Sequence, residues 1–339
     1  MLKVAVINDT RPTHHFGCLL VMKNLLHLLQ QQQMEVAWSW PVSVDWRKHK
    51  GKIRSMPEVD AIIINGEGTI HHNRQRKFSQ ALIDFCEYAS QVMKKPVYVV
   101  NATLNQNSPD AYQKLALARA IYVRDRGSLQ ELNDHDVPGS YVPDLTMAGS
   151  PETMTLDTTA RKGTLVIDSA IKTDTALLRE LADRHDHDFR SMIVARPGNA
   201  RFLRSPRPWV KNIWKWLRED RLVSTDVDVY LQQLATYSGV ITGRYHTLTM
   251  CLKQRVPFYA LASNTPKVFF LLNDVFGDDH RQRTLEDIAA SGDQPVEPFS
   301  EQELAAIDTF LAMANRESET MIRAIAADIR QQAQGEYQY

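Results

Sequence analysis

Arg244 and His246 stand two apart in "GVITGRYHTLTMCLKQRVPFYAL", residues 239 to 261, between a β-rich apolar run and a helix-like stretch. Such a handover puts both side chains at a helix N-terminus, where free N–H groups and the helix dipole attract anions. A guanidinium grips carboxylate or phosphate through two parallel bonds, and an imidazole gives or takes a proton near neutral pH. The pair therefore describes an anion site with an acid. The same residue types also serve structure, Arg244 in an ion pair and His246 as a satisfied buried histidine, and spacing alone leaves both readings open.

A second candidate lies in "IIINGEGTIHH", residues 62 to 72. Ligands of open α/β sheets gather at the carboxyl ends of strands, and here Gly66 and Gly68 flank Glu67 at such an end, with Thr69, His71 and His72 just beyond. Glycines there allow a tight turn and close approach of backbone N–H groups to an anion. A plain strand-to-helix turn explains them equally well. Glu67, a carboxylate with few packing reasons to sit between glycines, is a candidate for taking a proton from a sugar hydroxyl.

Other polar clusters carry less. His14, His15, His71 and His72 have no carboxylate or cysteine spacing that makes a ligand set, so no metal is expected. Cys18, Cys86 and Cys251 are odd in number and widely spaced, which argues against a disulfide framework and for a reducing compartment. In "PRPWVKNIWKWLRED" (206 to 220), Trp209, Trp214 and Trp216 mix with basic residues. The expected placement is an amphipathic helix between domains with its tryptophans in the core. The alternative is peripheral membrane contact, or contact with a lipid-linked, phosphate-bearing acceptor.

Positioning these groups requires a scaffold. The chain has 339 residues, which suits two domains and a cleft between them. Lys plus Arg balances Asp plus Glu, 40 against 40, so no global field favours nucleic acid and anion binding must be local. Short apolar runs, "KVAVIN", "VDAIIING", "PVYVVN" and "AIYVRD", alternate with helical patterns through the first half, as strands of a parallel sheet buried on both faces do. After a polar stretch at 149 to 163, "TLVID", "FRSMIVA", "GVITG" and "PFYALA" repeat the alternation, and a long polar helix near 300 to 334 closes the chain. We expect a first α/β domain over 1–150 and a second, with the C-terminal helix, over 151–339. The N-terminus enters a strand directly and no run approaches the roughly 20 apolar residues of a membrane span, so a cytoplasmic protein is expected, peripheral to the inner face of a membrane at most.

At these residues the sequence resembles the polysaccharide pyruvyl transferases. The resemblance is carried by "GVITGRYHTLTMCLKQRVPFYALASNTPKV" (239 to 268), which has the family's strand, Arg-x-His, apolar helix, Val-Pro strand and loop ending in Lys. "DAIIINGEGTIHH", "AIYVRDRGSLQEL" and "VPDLTM" resemble its other elements. The resemblance implies two Rossmann-like domains facing across a cleft in the glycosyltransferase B arrangement. It also implies phosphoenolpyruvate as donor, a sugar hydroxyl of a cell-surface polysaccharide or its lipid-linked precursor as acceptor, a pyruvate ketal as product and no cofactor. Carried over, Arg244 holds the donor's phosphate or carboxylate and His246 acts as acid, with Lys267, Asn264 and Arg124 as further anion-binding or orienting groups. The chain departs from the family near the first helix, where "HHFGCLLVM" has Cys18 and Leu19 in place of an acidic pair. A nucleotide-sugar-dependent glycosyltransferase of the same fold, and a non-catalytic partner in glycan assembly, remain as alternatives.

Overall fold

A computed structural model describes residues 1–149, 161–196, 206–290 and 294–336. Most of the expected linker, and the boundary placed at 150, lie outside the described residues. The first domain runs β1 (Leu2–Asp9), α1 (Phe16–Gln31), β2 (Met34–Pro41), α2 (Lys50–Arg54), β3 (Ala61–Glu67), α3 (Lys77–Glu87), β4 (Val97–Ala102), α4 (Pro109–Leu115), β5 (Ala120–Val123), α5 (Arg126–Asn133) and β6 (Ser140–Tyr141). All neighbouring strands are parallel, in the order β2-β1-β3-β4-β5-β6. The middles of β1, β3 and β4 are fully buried because helices cover both faces, which is why these strands read as unbroken apolar runs.

The second domain comprises β7 (Thr164–Ser169), α6 (Lys172–Arg184), β8 (Asp188–Arg190), α7 (Pro206–Lys215), α8 (Val227–Leu234), β9 (Gly239–Gly243), α9 (Tyr245–Gln254), β10 (Phe258–Ala260), α10 (Lys267–Phe276) and α11 (Leu285–Ala290), then α12 (Glu301–Glu336). Its sheet, again parallel, has the order β10-β9-β7-β8. "FRSMIVA" forms a strand only at its start, since the chain leaves the sheet after Arg190 to bridge Ile193 to His15 of the first domain.

The domains interlock. Phe16 and Leu20 of α1 belong to the second domain's core, and Phe16 stacks on Tyr230 with ring centroids 4.0 Å apart. Helix α12 returns the exchange: Ile307, Phe310 and Leu311 pack in the second domain, whereas Met321, Ile322 and Ile325 pack against β1, β3 and β4 of the first. Lys23 pairs with Asp228, and Arg126 with Asp274, each at 2.6 Å, across the boundary. No helix among the described residues is long and apolar enough to cross a membrane.

Candidate active site between the domains

Each parallel sheet has a point where strand order reverses, and crevices at such points hold ligands because the following loops diverge there. In the first sheet β1 and β3 flank that point and end in Asp9, Thr10 and Glu67; in the second, β7 and β9 flank it and lead into Asp168 and Arg244. The two crevices face one another. Three non-glycine residues at the carboxyl ends of adjacent strands, Asn8, Glu67 and Asn101, have positive φ of 67°, 38° and 56°. Backbone strain of this kind persists only where the surroundings hold it.

At the centre lies a buried ionic network. Arg124, at the end of β5, donates from Nη1 to Asp144 Oδ2 at 2.6 Å and from Nε to Thr103 Oγ1 at 2.7 Å, and stacks on the Tyr245 ring at 4.7 Å. His246, the second residue of α9, brings Nε2 to 3.1 Å from Arg124 Nη1 and 3.6 Å from Asp144 Oδ2. Burial alone raises the Asp144 carboxyl, but the Arg124 charge and the His246 ring more than offset it and hold it well below the ordinary range. The imidazole thus has a donor and an acceptor against one nitrogen.

The first turn of α1 closes the other side. A Cβ on Gly17 would overlap the His246 ring, so only glycine lets α1 approach this closely. His15 caps α1, its Nδ1 accepting from Gly17 N at 3.1 Å and Cys18 N at 3.4 Å, and its ring meets His246 edge-on with centroids 5.6 Å apart. Those two N–H groups assign the proton of the neutral His15 ring to Nε2. Burial, then the neighbouring His246, Arg244 and Lys267, push His15 well below its ordinary value. Glu67 accepts from Thr10 Oγ1 at 3.1 Å and from the Cys18 thiol at 3.3 Å. Burial and then Glu67 keep Cys18 a thiol by raising it well above its usual range.

The residues singled out from sequence occupy different positions in this arrangement. Arg244 is bound bidentately by Asp168, Nε at 3.0 Å and Nη2 at 2.6 Å, so the two-bond grip expected for a ligand is taken up within the second domain, and among the described residues no hydrogen bond holds Nη1. Gly66 and Gly68 do not supply the turn's unusual backbone, which falls on Glu67; Gly66 instead avoids the Ala102 backbone, and Gly68 lets Arg124 Nη2 pass within 3.3 Å of where a Cβ would lie. Thr69 is a strut, its hydroxyl accepting from Asn8 Nδ2 at 3.3 Å. His71 pairs with His72 at 2.8 Å and with Arg76, and burial followed by Arg76 lowers it to about 3.

Lys267 opens α10 and donates to Asn264 Oδ1 at 2.9 Å. Burial of its head, with Arg124, Arg76 and Arg244 nearby, brings its ammonium down to about 7. It lines an interdomain cavity of about 400 Å³ together with Thr103, Asn105, Asp125, Gln130 and Phe270. Arg124, which bonds Thr103, and His246 are not among the lining residues.

The polysaccharide pyruvyl transferase family model matches residues 15–265, which contain His15, Cys18, Glu67, Arg124, Asp144, Asp168, Arg244 and His246. The chain belongs to that family. Among solved structures it is similar to the UDP-GlcNAc 2-epimerase of Methanocaldococcus jannaschii in complex with UDP-GlcNAc and UDP, at 10% identity over 96% of this chain and 100% of that one, with a TM-score of 0.53. It is also similar to a functionally uncharacterized protein of Klebsiella pneumoniae, at 10% identity over 83% and 93% of the two chains, with a TM-score of 0.51. At this identity the likeness concerns the fold, two Rossmann-like domains facing across a cleft in the glycosyltransferase B arrangement. No curated relative matches the chain.

For this pyruvyl transferase family member, the residues missed in the sequence are as telling as those found. Asp144, Asp168, His15 and Cys18 complete the site, and the first two end strand-like runs ("SYVPD", "TLVID") where the strand-end rule could have flagged them. His15, Cys18 and His246 bring donor atoms within 4.8 Å of one another, a cluster with the outline of a metal site. The donors do not suit one. A metal-bound imidazole donates the proton of its other nitrogen, and His15 Nδ1 instead accepts from two N–H groups.

Proposed function

We propose that the protein transfers the pyruvyl group of phosphoenolpyruvate to a sugar hydroxyl of a surface glycan or its precursor, forming a ketal. The observation that carries this reading is the contact between Arg124 and His246, which joins the strand ends of the two lobes in a family whose members are transferases. Arg124, Arg244 and Lys267 place positive charge around one small volume, suited to a donor bearing both carboxylate and phosphate.

In this reading His246 is the acid, its Nε2–H turned to Asp144. The ring's other N–H protonates the methylene carbon of the donor, making it a methyl group and leaving an oxocarbenium-like centre at the carbon that bears phosphate. Glu67 takes the proton of a sugar hydroxyl, whose oxygen bonds to that centre. Phosphate then leaves with its C–O bonding pair, and a second hydroxyl of the sugar, returning its proton to the His246 nitrogen that gave one up, closes the ketal. Preorganised cations stabilise the charge on the departing phosphate. The cavity beside Lys267, with Phe270 for stacking and Asn105 and Gln130 for hydroxyls, is suited to the sugar.

Thermal protection tests the donor. Phosphoenolpyruvate should raise the melting temperature and UDP or UDP-sugars should not. Protection by a UDP-sugar, with none from phosphoenolpyruvate, would replace this reading with glycosyl transfer. Full function in cells carrying both Arg244→Ala and His246→Ala would instead make the protein a non-catalytic partner.

A further inference from the structure

The tryptophan-basic stretch is not the buried interdomain helix its pattern suggested. Helix α7 and the wider turn that continues it, Trp216–Asp220, lie on the surface of the second domain. Val210, Trp214 and Leu217, spaced four and three apart on one face, are 43%, 56% and 51% exposed, and Leu222 just beyond is 96% exposed. A run of apolar side chains this exposed, and this regular, marks a surface that something covers.

The charges around it are one-sided. Arg207 and Lys211 precede Val210 and Trp214 along the same face, and Arg218, which lies 5.1 Å over the Trp214 ring, and Arg221 follow. The two acids within the stretch are engaged: Glu219 with Arg179 at 3.4 Å, and Asp220, buried, with Lys215 at 2.9 Å. Apolar and aromatic side chains set among basic ones, on a helix lying along a protein surface, match the interface of an anionic bilayer, where acyl chains take the former and phosphate headgroups the latter.

We propose that α7 seats the protein on an anionic membrane surface beside the cleft. Lys215 of α7 donates to Ile193 O at 2.5 Å; Ile193 bridges His15; and the His15 ring meets His246 at 5.6 Å. The membrane-facing helix and the cleft thus share one connected wall. Resting on the pyruvyl transfer proposed above, the acceptor is a glycan still attached to a membrane lipid, delivered to the cleft along this wall.

Co-sedimentation of the full-length protein with vesicles tests the surface. Vesicles of phosphatidylcholine with phosphatidylglycerol should bind the protein, and pure phosphatidylcholine should not. Binding should weaken about fivefold in Lys211→Ala or Arg218→Ala and be lost in Trp214→Ser/Leu217→Ser, with an unchanged melting temperature showing that the fold is intact. Absence of binding to the anionic vesicles, equal binding to both kinds, or binding indifferent to these substitutions would overturn the proposal. So would a dimer in solution that Trp214→Ser dissociates, since a second copy would then cover the face. Vesicle binding does not depend on the donor: a protein that binds vesicles but transfers no pyruvyl group refutes the function alone, and one that transfers without binding refutes the surface alone.

Discussion

Arg124 Nη1 and His246 Nε2 meet at 3.1 Å across the boundary between the lobes, with Asp144 fully buried beneath both. Removing the arginine strands that carboxylate without its counter-charge. Arg124→Met should destabilise the protein by about 3–5 kcal/mol and abolish activity, whereas Arg124→Met/Asp144→Asn should regain much of the stability but none of the activity. Thermal unfolding beside a phosphate-release assay separates the two. Recovery of activity in the double variant would remove Arg124 from the catalytic machinery.

Arg244 is held by Asp168, so its substitution has two effects that must be separated. Arg244→Ala should both destabilise the second domain and weaken donor binding. In Arg244→Ala/Asp168→Asn the stability loss should shrink, because no buried carboxylate is left unpaired, while donor affinity stays low. Titration calorimetry with phosphoenolpyruvate checks this; wild-type affinity in the double variant would make Arg244 purely structural.

Gly17 sets how closely α1 approaches His246. Gly17→Ala inserts a methyl group into the imidazole and must displace one or the other. We expect kcat to fall about a hundredfold, with a smaller effect on KM. Unchanged kcat would show that the ring's position is not critical.

The ammonium of Lys267 titrates near 7 against an ordinary 10.5. The unfolded chain therefore holds this proton more tightly than the folded one, and the contribution of this group makes the fold more stable as pH rises from about 7 toward 10.5. A bound phosphate acts in the opposite sense by favouring the ammonium, so donor affinity should fall as pH rises above about 7 and binding at about pH 8 should take up a proton. Calorimetry in buffers of different ionisation heat measures that uptake, and Lys267→Met should abolish it. A wild-type protein that takes up no proton would place Lys267 away from the donor.

Chelator treatment should leave activity intact, and zinc should not raise the melting temperature, because the His15 ring accepts from two backbone N–H groups with the nitrogen from which a metal-bound imidazole would donate. Loss of activity on chelation, restored by a divalent ion, would reverse this.

Much of the scaffold was legible in the chain because a parallel sheet covered on both faces demands strands such as "AIIIN" and "GVITG" with no polar alternation. Strand β2 escaped notice, since its outer side is only half-covered and "MEVAWSWP" mixes polar with aromatic residues. Helix α7 was misplaced for a related reason: an amphipathic pattern reports that one face is apolar, not whether a domain or a bilayer covers it.

Local sequence also determined which side chains stand at strand ends and helix starts, Glu67, Arg124, Arg244 and His246 among them, because turn chemistry and hydrophobic period are properties of a few neighbouring residues. Their partners are tertiary. Arg244 and Asp168 lie 76 positions apart, Arg124 and His246 lie 122 apart, and Cys18 reaches Glu67 across 49. No local rule relates residues so distant. Which guanidinium is spent on a carboxylate, and which lies against the imidazole, was decided only when two sheets brought their reversal points face to face.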